Sequence, residues 1–289
     1  MLTFFKKTVV LLCAAAFLPL CACGVNPHEP DVPPVPAPSK PILPDPLPEP
    51  STEQPSFPEN PYWDTSNVDI SKIDKTKKLL SFTFDDAPAK TLESLVGAFA
   101  YYNAQNPDCP ASATLFCNGA YIQEYNLPAL QTAHVLSFEL GNHTYAHKDL
   151  TTLSDEELLF EVTKTDEILK TIDGNEAHLL RAPYGRIDER LKAIAQAPIF
   201  DWYVDTLDWT GRSADEIYES VFSAKGEGVI VLMHDGYENT VEAVKRLLPD
   251  LKEAGYQVVS ISQMAKAHKL PLKKGGVYTR ARPPKQANK

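Results

Sequence analysis

The stretch LLSFTFDDAPAK, residues 79–90, runs through apolar and β-forming side chains and stops at two adjacent carboxylates, Asp85 and Asp86. Neighbouring acids at a strand end repel each other and add nothing to a core, so a bound cation is the natural reason to keep them. Similar short apolar runs recur along the chain: ATLFCN (113–118), VLSFELGN (135–142), HLLRAPYG (178–185), IFDWYVDT (199–206), GVIVLMHD (228–235) and YQVVSIS (256–262). Several lack polar alternation, the pattern of strands buried on both faces of a parallel sheet.

Helical patterns lie between the runs. In TTLSDEELLFEVTKTDEILKTIDG (151–174), Ser154 and Glu157 form a capping box. Leu158, Val162, Ile168 and Leu169 then fall towards one face, and Gly174 ends the helix. NTVEAVKRLLPDLKEAGY (239–256) is a second helix. Seven β/α units in about 190 residues predict an α/β fold, a distorted (β/α)7-8 barrel, with an open doubly wound sheet as the alternative.

The polar residues then fall in one place. Asp85 and Asp86, HTYAH (143–147), Arg181, Asp205 to Trp209, and His234 with Asp235 all follow strand C-termini, which converge on one mouth of a parallel barrel. His143 and His147 are four apart, and on a helical turn that spacing lets two imidazoles share a metal. With a carboxylate from the neighbouring strand they make a site of two histidines and one aspartate that leaves room for water and substrate. One aspartate of the pair can bind the ion while the other takes a proton from a water whose pKa the ion lowers. The bland alternative is that Asp85 and Asp86 only cap the helix that follows.

The ordered set TFDD, HTYAH, RAPYG, DTLDW and LMHDG resembles the five motifs of the polysaccharide deacetylases, carbohydrate esterase family four with the NodB-homology domain, over about residues 79–264. The resemblance implies Asp85 as base, with Asp86, His143 and His147 holding one divalent metal, zinc, cobalt or nickel. It implies that Arg181 orients Asp85, that the Tyr184 backbone N–H receives the oxyanion, and that His234 is the acid with Asp208 behind it. Trp209 and Leu232 would wall the acetyl pocket. Two positions depart from the family pattern: Ala87 replaces a glycine and Lys148 a proline. Neither is a ligand or part of the acid/base pair; they bear on groove shape and substrate range. Choosing Asp208 over Asp205 rests on the family alone.

Outside this region the chain opens with Lys6, Lys7 and an apolar stretch of secretory-signal length, too short for a comfortable span. Leu20-Cys21-Ala22-Cys23 resembles a lipoprotein lipobox with Cys23 acylated; an ordinary cleaved leader is the alternative. Residues 1–23 are thus read as a signal and 24–61 as a spacer, which holds more than half of the chain's 25 prolines. The folded domain is read as 62–270 and residues 271–289 as a frayed basic tail. The expected location is extracytoplasmic, anchored to a membrane by lipid. Cys109 and Cys117 are open to a disulfide or to burial as thiols. His134, His178 and His268 read as surface or packing residues, and Trp63 as packing the terminal segment.

The formal charge of −10 argues against nucleic acid as partner. The expected function is metal-dependent removal of acetyl from N-acetylated sugars of an extracellular polysaccharide such as peptidoglycan, by a monomer. Alternatives are an O-acetyl esterase on xylan and a surface lipoprotein that binds glycan without turnover. A metal phosphoesterase would want more carboxylate ligands and cations than Arg181 and Arg186 near the motifs.

Overall fold

Strand β1 (Lys78–Ala87) shows how the sequence builds the sheet. Its Leu80, Phe82 and Phe84 join Leu95, Phe99 and Val244 in one large core under the helices, while Leu79 joins a second core on the opposite face. Ser81, Thr83 and Asp85 share that second face and are also buried. Side chains alternate along a strand, so the helix-facing set is large and apolar and the inward-facing set is small or polar. The same parity holds in β6 (Val229–His234): Val229, Val231 and Met233 face the helices, and Ile230 the inner core. Leu232 and His234 therefore point inward beside Asp85, whose register partner is His234.

The computed structural model describes residues 60–122 and 126–282. The leader, Cys23 and the proline-rich spacer up to residue 59 lie outside the described residues. The main sheet is parallel, in the order β3 (Glu139–Asn142), β2 (Thr114–Cys117), β1, β6 and β5 (Val204–Asp205), and β7 (Tyr256–Val258) pairs with the start of β1. Beyond β3 the pairing shrinks to single bridges, Asn142 to Leu180 and Leu180 to Ile199. These reach β4 (Ile199–Phe200), three residues before β5, which returns to β6. The expected α/β fold is thus present as a mostly parallel sheet, with long ladders on one side and isolated bridges on the other. Among the described residues β4 pairs with β8 (Val277–Tyr278) rather than β5, so no ladder closes a barrel. Pro183 and Pro198 flank the thin side, where a missing N–H ends a ladder.

Helices α1 (Leu92–Gln105), α2 (Leu127–Val135), α3 (Asp155–Asp173), α4 (Glu189–Ile194), α5 (Ala214–Ala224), α6 (Glu238–Glu253) and α7 (Ile261–Ala267) complete the fold. The capping box of Ser154 and Glu157 forms as expected, and Gly174 takes the left-handed φ of +79° that stops α3. Ser213 with Glu216, and Ser260 with Gln263, make two more such boxes.

Three expectations need correction. The run 135–142 is strand only from Glu139, because Val135 ends α2 and is exposed. The run 178–185 keeps only the Leu180 bridges. The C-terminal stretch is not frayed as far as residue 282: β8 (Val277–Tyr278) pairs with β4, and Tyr278 stacks on Phe200. Ala281 is fully buried and its N–H donates to Gly228 O at 3.0 Å. The buried Leu272 and Ala281, together with this pairing and stacking, dock a segment whose charge disguised it.

Cys109 and Cys117 are buried free thiols, and burial pushes both of their pKa values up. Trp63 packs the N-terminal segment onto the inner core, its backbone N–H donating to Leu272 O at 2.8 Å. Among the described residues no helix is long and apolar enough to cross a membrane.

Candidate active site

At the end of β1 the register with β2 shifts between Phe84 and Ala87. The irregularity places Asp86 at φ +62°, a left-handed conformation that a short polar side chain tolerates. Simple divergence on a flat strand is therefore not what separates the two acids; a bulge does. Ala87, in place of glycine, takes no positive φ, lies buried in the strand and accepts the Asn118 N–H at 2.9 Å. Alanine is unstrained there.

Asp85 points inward to Arg181, whose Nη1 donates to Asp85 Oδ1 and to Thr83 Oγ1, both at 2.7 Å. Arg181 is 0% exposed. Its Nε donates to Phe200 O and its Nη2 to Asp201 O, and the guanidinium lies over the Phe116 ring at 4.1 Å. Burial pushes the Asp85 carboxyl up, but the Arg181 guanidinium, with His143 and His234, outweighs it and holds the group below the usual carboxylate range.

Asp86, His143 and His147 bring one ligand atom each within 4.8 Å of one another. His143 Nδ1 lies 2.8 Å from the Arg181 carbonyl oxygen, an acceptor, so Nδ1 carries the proton and Nε2 presents its lone pair. Burial and the neighbouring His143 push the His147 pKa down, favouring the neutral imidazole a cation requires. Two imidazoles and a carboxylate suit a borderline divalent ion with open positions. The residues fit one metal.

The spacing of the histidines works differently from a helical turn. Residues 143–147 form a loop in which Thr144 and His147 take φ of +67° and +53°. Tight backbone folding, rather than helical periodicity, brings the rings to 4.9 Å.

On the other side of Asp85, His234 Nδ1 lies 2.8 Å from Asp208 Oδ1. Asp208 Oδ2 accepts the His234 backbone N–H at 2.8 Å and the Thr240 hydroxyl at 2.7 Å. Burial pushes the His234 pKa down, but Asp208, Asp85 and Asp86 outweigh it and raise it. Asp205 instead accepts the Leu207 N–H at 2.9 Å, a local turn contact. Geometry selects Asp208.

The sequence profile of the family described as "Polysaccharide deacetylase" matches residues 72–199. A solved "T48 deacetylase with substrate" is 30% identical, with a TM-score of 0.65 over 73% of this chain and 99% of that one. The chain belongs to the polysaccharide deacetylase family. The peptidoglycan deacetylase PdaC of Bacillus subtilis, also 30% identical, superposes with a TM-score of 0.62 over 68% of this chain and 94% of the solved one. Among curated proteins, the peptidoglycan-N-acetylmuramic acid deacetylase PdaC of B. subtilis (strain 168) is 30% identical over 68% of this chain. The peptidoglycan-N-acetylglucosamine deacetylase PgdA of Listeria monocytogenes is 29% identical over 69% of it. The chain spans 41% and 42% of the length of these two proteins.

Within the polysaccharide deacetylase domain, Tyr184 sits at φ +62° in the turn Pro183–Gly185 and is 63% exposed. Its ring stands against His147 at 4.8 Å, and its hydroxyl donates to His147 O at 3.4 Å. Trp209, 54% exposed, follows Asp208, and its backbone N–H donates to Asp208 Oδ1 at 3.0 Å. Leu232 is buried on the inward parity of β6, paired with Asp205.

Asp235, placed at a strand end by the sequence without a role, accepts the Ala89 N–H and the Thr91 hydroxyl, both at 2.6 Å, tying β6 to the turn after Asp86. Two further residues around the site escaped sequence reasoning. Asn142 holds the Thr144 N–H through its side-chain oxygen at 2.8 Å. Glu161 on α3 is 0% exposed and accepts the Ala146 N–H at 2.7 Å. Glu161 left a signal: three residues after Leu158 and four before Thr165, it lies on the buried stripe of α3, where a charge is out of place. Lys148, in place of proline, brings its ammonium to 3.2 Å from Glu161 Oε1.

Proposed function

We propose that the domain is a metal-dependent hydrolase that removes acetyl groups from N-acetylated sugars of peptidoglycan or a related N-acetylglucosamine polymer. One observation carries this reading: a base held by a buried arginine and an acid held by a buried aspartate are register partners, Asp85 and His234, beside the trio of Asp86, His143 and His147. A divalent cation held by Asp86, His143 and His147, zinc being the best match, would polarise the acetyl carbonyl and lower the pKa of the attacking water. Asp85, kept ionised by Arg181, takes the water's proton. The Tyr184 backbone N–H donates to the oxygen that gains charge as the carbonyl is attacked. His234, charged and fixed by Asp208, protonates the leaving amine. Trp209 and Leu232 flank the acetyl methyl.

The names of the relatives support peptidoglycan as the polymer. The same proposal takes Cys23 as the lipidated residue, which would place the domain outside the cytoplasm on a proline-rich stalk. Incorporation of a labelled fatty acid, lost in Cys23→Ser, tests the anchor.

The catalytic test is acetate release by the purified protein from N-acetylglucosamine oligomers, peptidoglycan and O-acetylated xylan, each with and without a chelator. Release from the amino sugars, abolished by chelation and by Asp85→Asn, is the expected result. Release from xylan alone would assign an O-acetyl esterase. No release from any, with metal bound, would turn the reading towards glycan binding.

A further inference from the structure

The loop that carries both imidazoles is strained at two non-glycine residues, Thr144 and His147, and such strain persists only where the surroundings over-determine it. The restraints can be named. The His143 N–H donates to Cys117 O and the Thr144 N–H to the Asn142 side chain, both at 2.8 Å. The Asn118 amide donates to His143 O at 2.8 Å, the Gly119 N–H to Thr144 O at 3.0 Å and the Ala120 N–H to Tyr145 O at 2.8 Å. The Ala146 N–H, next to the second ligand, donates to the Glu161 carboxylate at 2.7 Å. Among these anchors Glu161 alone is charged.

A carboxylate with no exposed surface on an otherwise apolar helix stripe costs several kcal/mol unless a charge compensates it. Lys148 supplies that charge from the residue immediately after His147, at 3.2 Å, an ion-pair contact and not an aligned hydrogen bond. The carboxylate therefore grips the loop twice, at Ala146 and at Lys148, on either side of His147. Packing leaves no slack: a Cβ on Gly119 would come within 2.9 Å of Thr165 on the same helix and of Tyr145 in the loop.

We infer that the pair of buried Glu161 and half-exposed Lys148 is a positioning device for the metal-ligand loop, clamping the backbone around His147 so that its imidazole faces Asp86. The inference rests on the hydrolase reading, in which these imidazoles hold a divalent ion. Neither residue touches substrate; both act through the backbone of the ligand loop.

The test is the zinc affinity of the full-length apoprotein, measured by competition with a chromophoric chelator, beside its thermal unfolding in EDTA. Lys148→Met and Glu161→Gln are expected to weaken zinc binding by about tenfold or more, the usual effect of losing an outer-shell partner. Lys148→Arg, which keeps the charge, is expected to restore affinity to within about threefold of the wild type. The double variant should lose no more than the worse single one, because both remove one clamp. Zinc affinities within twofold of the wild type in Lys148→Met and Glu161→Gln, with folded apoproteins, would overturn the inference alone. Should Glu161→Gln fail to fold, the half-exposed Lys148 decides the matter through Met against Arg. Absence of stoichiometric zinc binding by the wild type would overturn the hydrolase reading and this inference together.

Discussion

Asp208 joins His234 twice, once through the ring at 2.8 Å and once through the backbone N–H at 2.8 Å. The double contact fixes both the imidazole's tautomer and its direction. Asp208→Asn is expected to lower kcat by about 100-fold or more, the scale of a lost general acid, with a smaller change in KM. Asp205→Asn, which loosens only the turn at Leu207, should cost no more than a few-fold. Steady-state kinetics of the two variants check the assignment, and the reverse ranking would refute it.

Arg181 is wholly buried between β1 and the end of β4, its guanidinium donating to Thr83, Asp85, Phe200 and Asp201. Arg181→Met leaves the Asp85 carboxylate buried and uncompensated, at a cost of about 3–5 kcal/mol. Adding Asp85→Asn should return part of that loss, since the stranded charge is gone. Urea unfolding of the single and double variants measures both quantities; equal stability of Arg181→Met and wild type would sink the prediction.

His178 is clamped at the other end of the sheet, with Nδ1 at 2.9 Å from Asp166 and Nε2 at 3.2 Å from Asp173. Burial pushes its pKa down, but the hydrogen bonds its ring donates to Asp166 and Asp173 dominate and push it up to about 9. A pKa raised in the folded state means stability that is complete below the unfolded value of about 6.5 and fades as pH rises through about 9. The contribution is on the order of 3 kcal/mol at most. Unfolding free energy should fall across pH 6.5–9 in the wild type and stay flatter in His178→Gln. Parallel profiles would refute it.

The C-terminal segment makes a further prediction. Ending the chain at residue 270 removes β8, the stacking of Tyr278 on Phe200, and the burial of Leu272 and Ala281. Such a loss of apolar contact costs about 2–4 kcal/mol. Chains ending at 270 and at 282 should differ by that amount in urea unfolding, and equal midpoints would mean the segment only decorates the surface.

Most of the strands, the two longest helices, the capping box at Ser154, and the placing of acids and histidines at strand ends could be read from the chain. These depend on neighbours in sequence: alternation, capping and apolar runs are local properties. The five motifs named the family for the same reason, since each is a short run of adjacent residues.

Other features needed the fold. Asp208 and Asp205 are alike in sequence, and only the approach of β6 shows which one meets His234. The bulge at Asp86 and the left-handed turns at Thr144 and His147 follow from restraints supplied by distant segments. Lys148 and Glu161 lie 13 positions apart, and their pairing exists because α3 packs under the ligand loop. The tail at 272–282 looked polar because charge dominates its composition, yet the buried Leu272 and Ala281 and a strand pairing tie it down. Local chemistry wrote the elements and the motifs; long-range packing chose which charges meet.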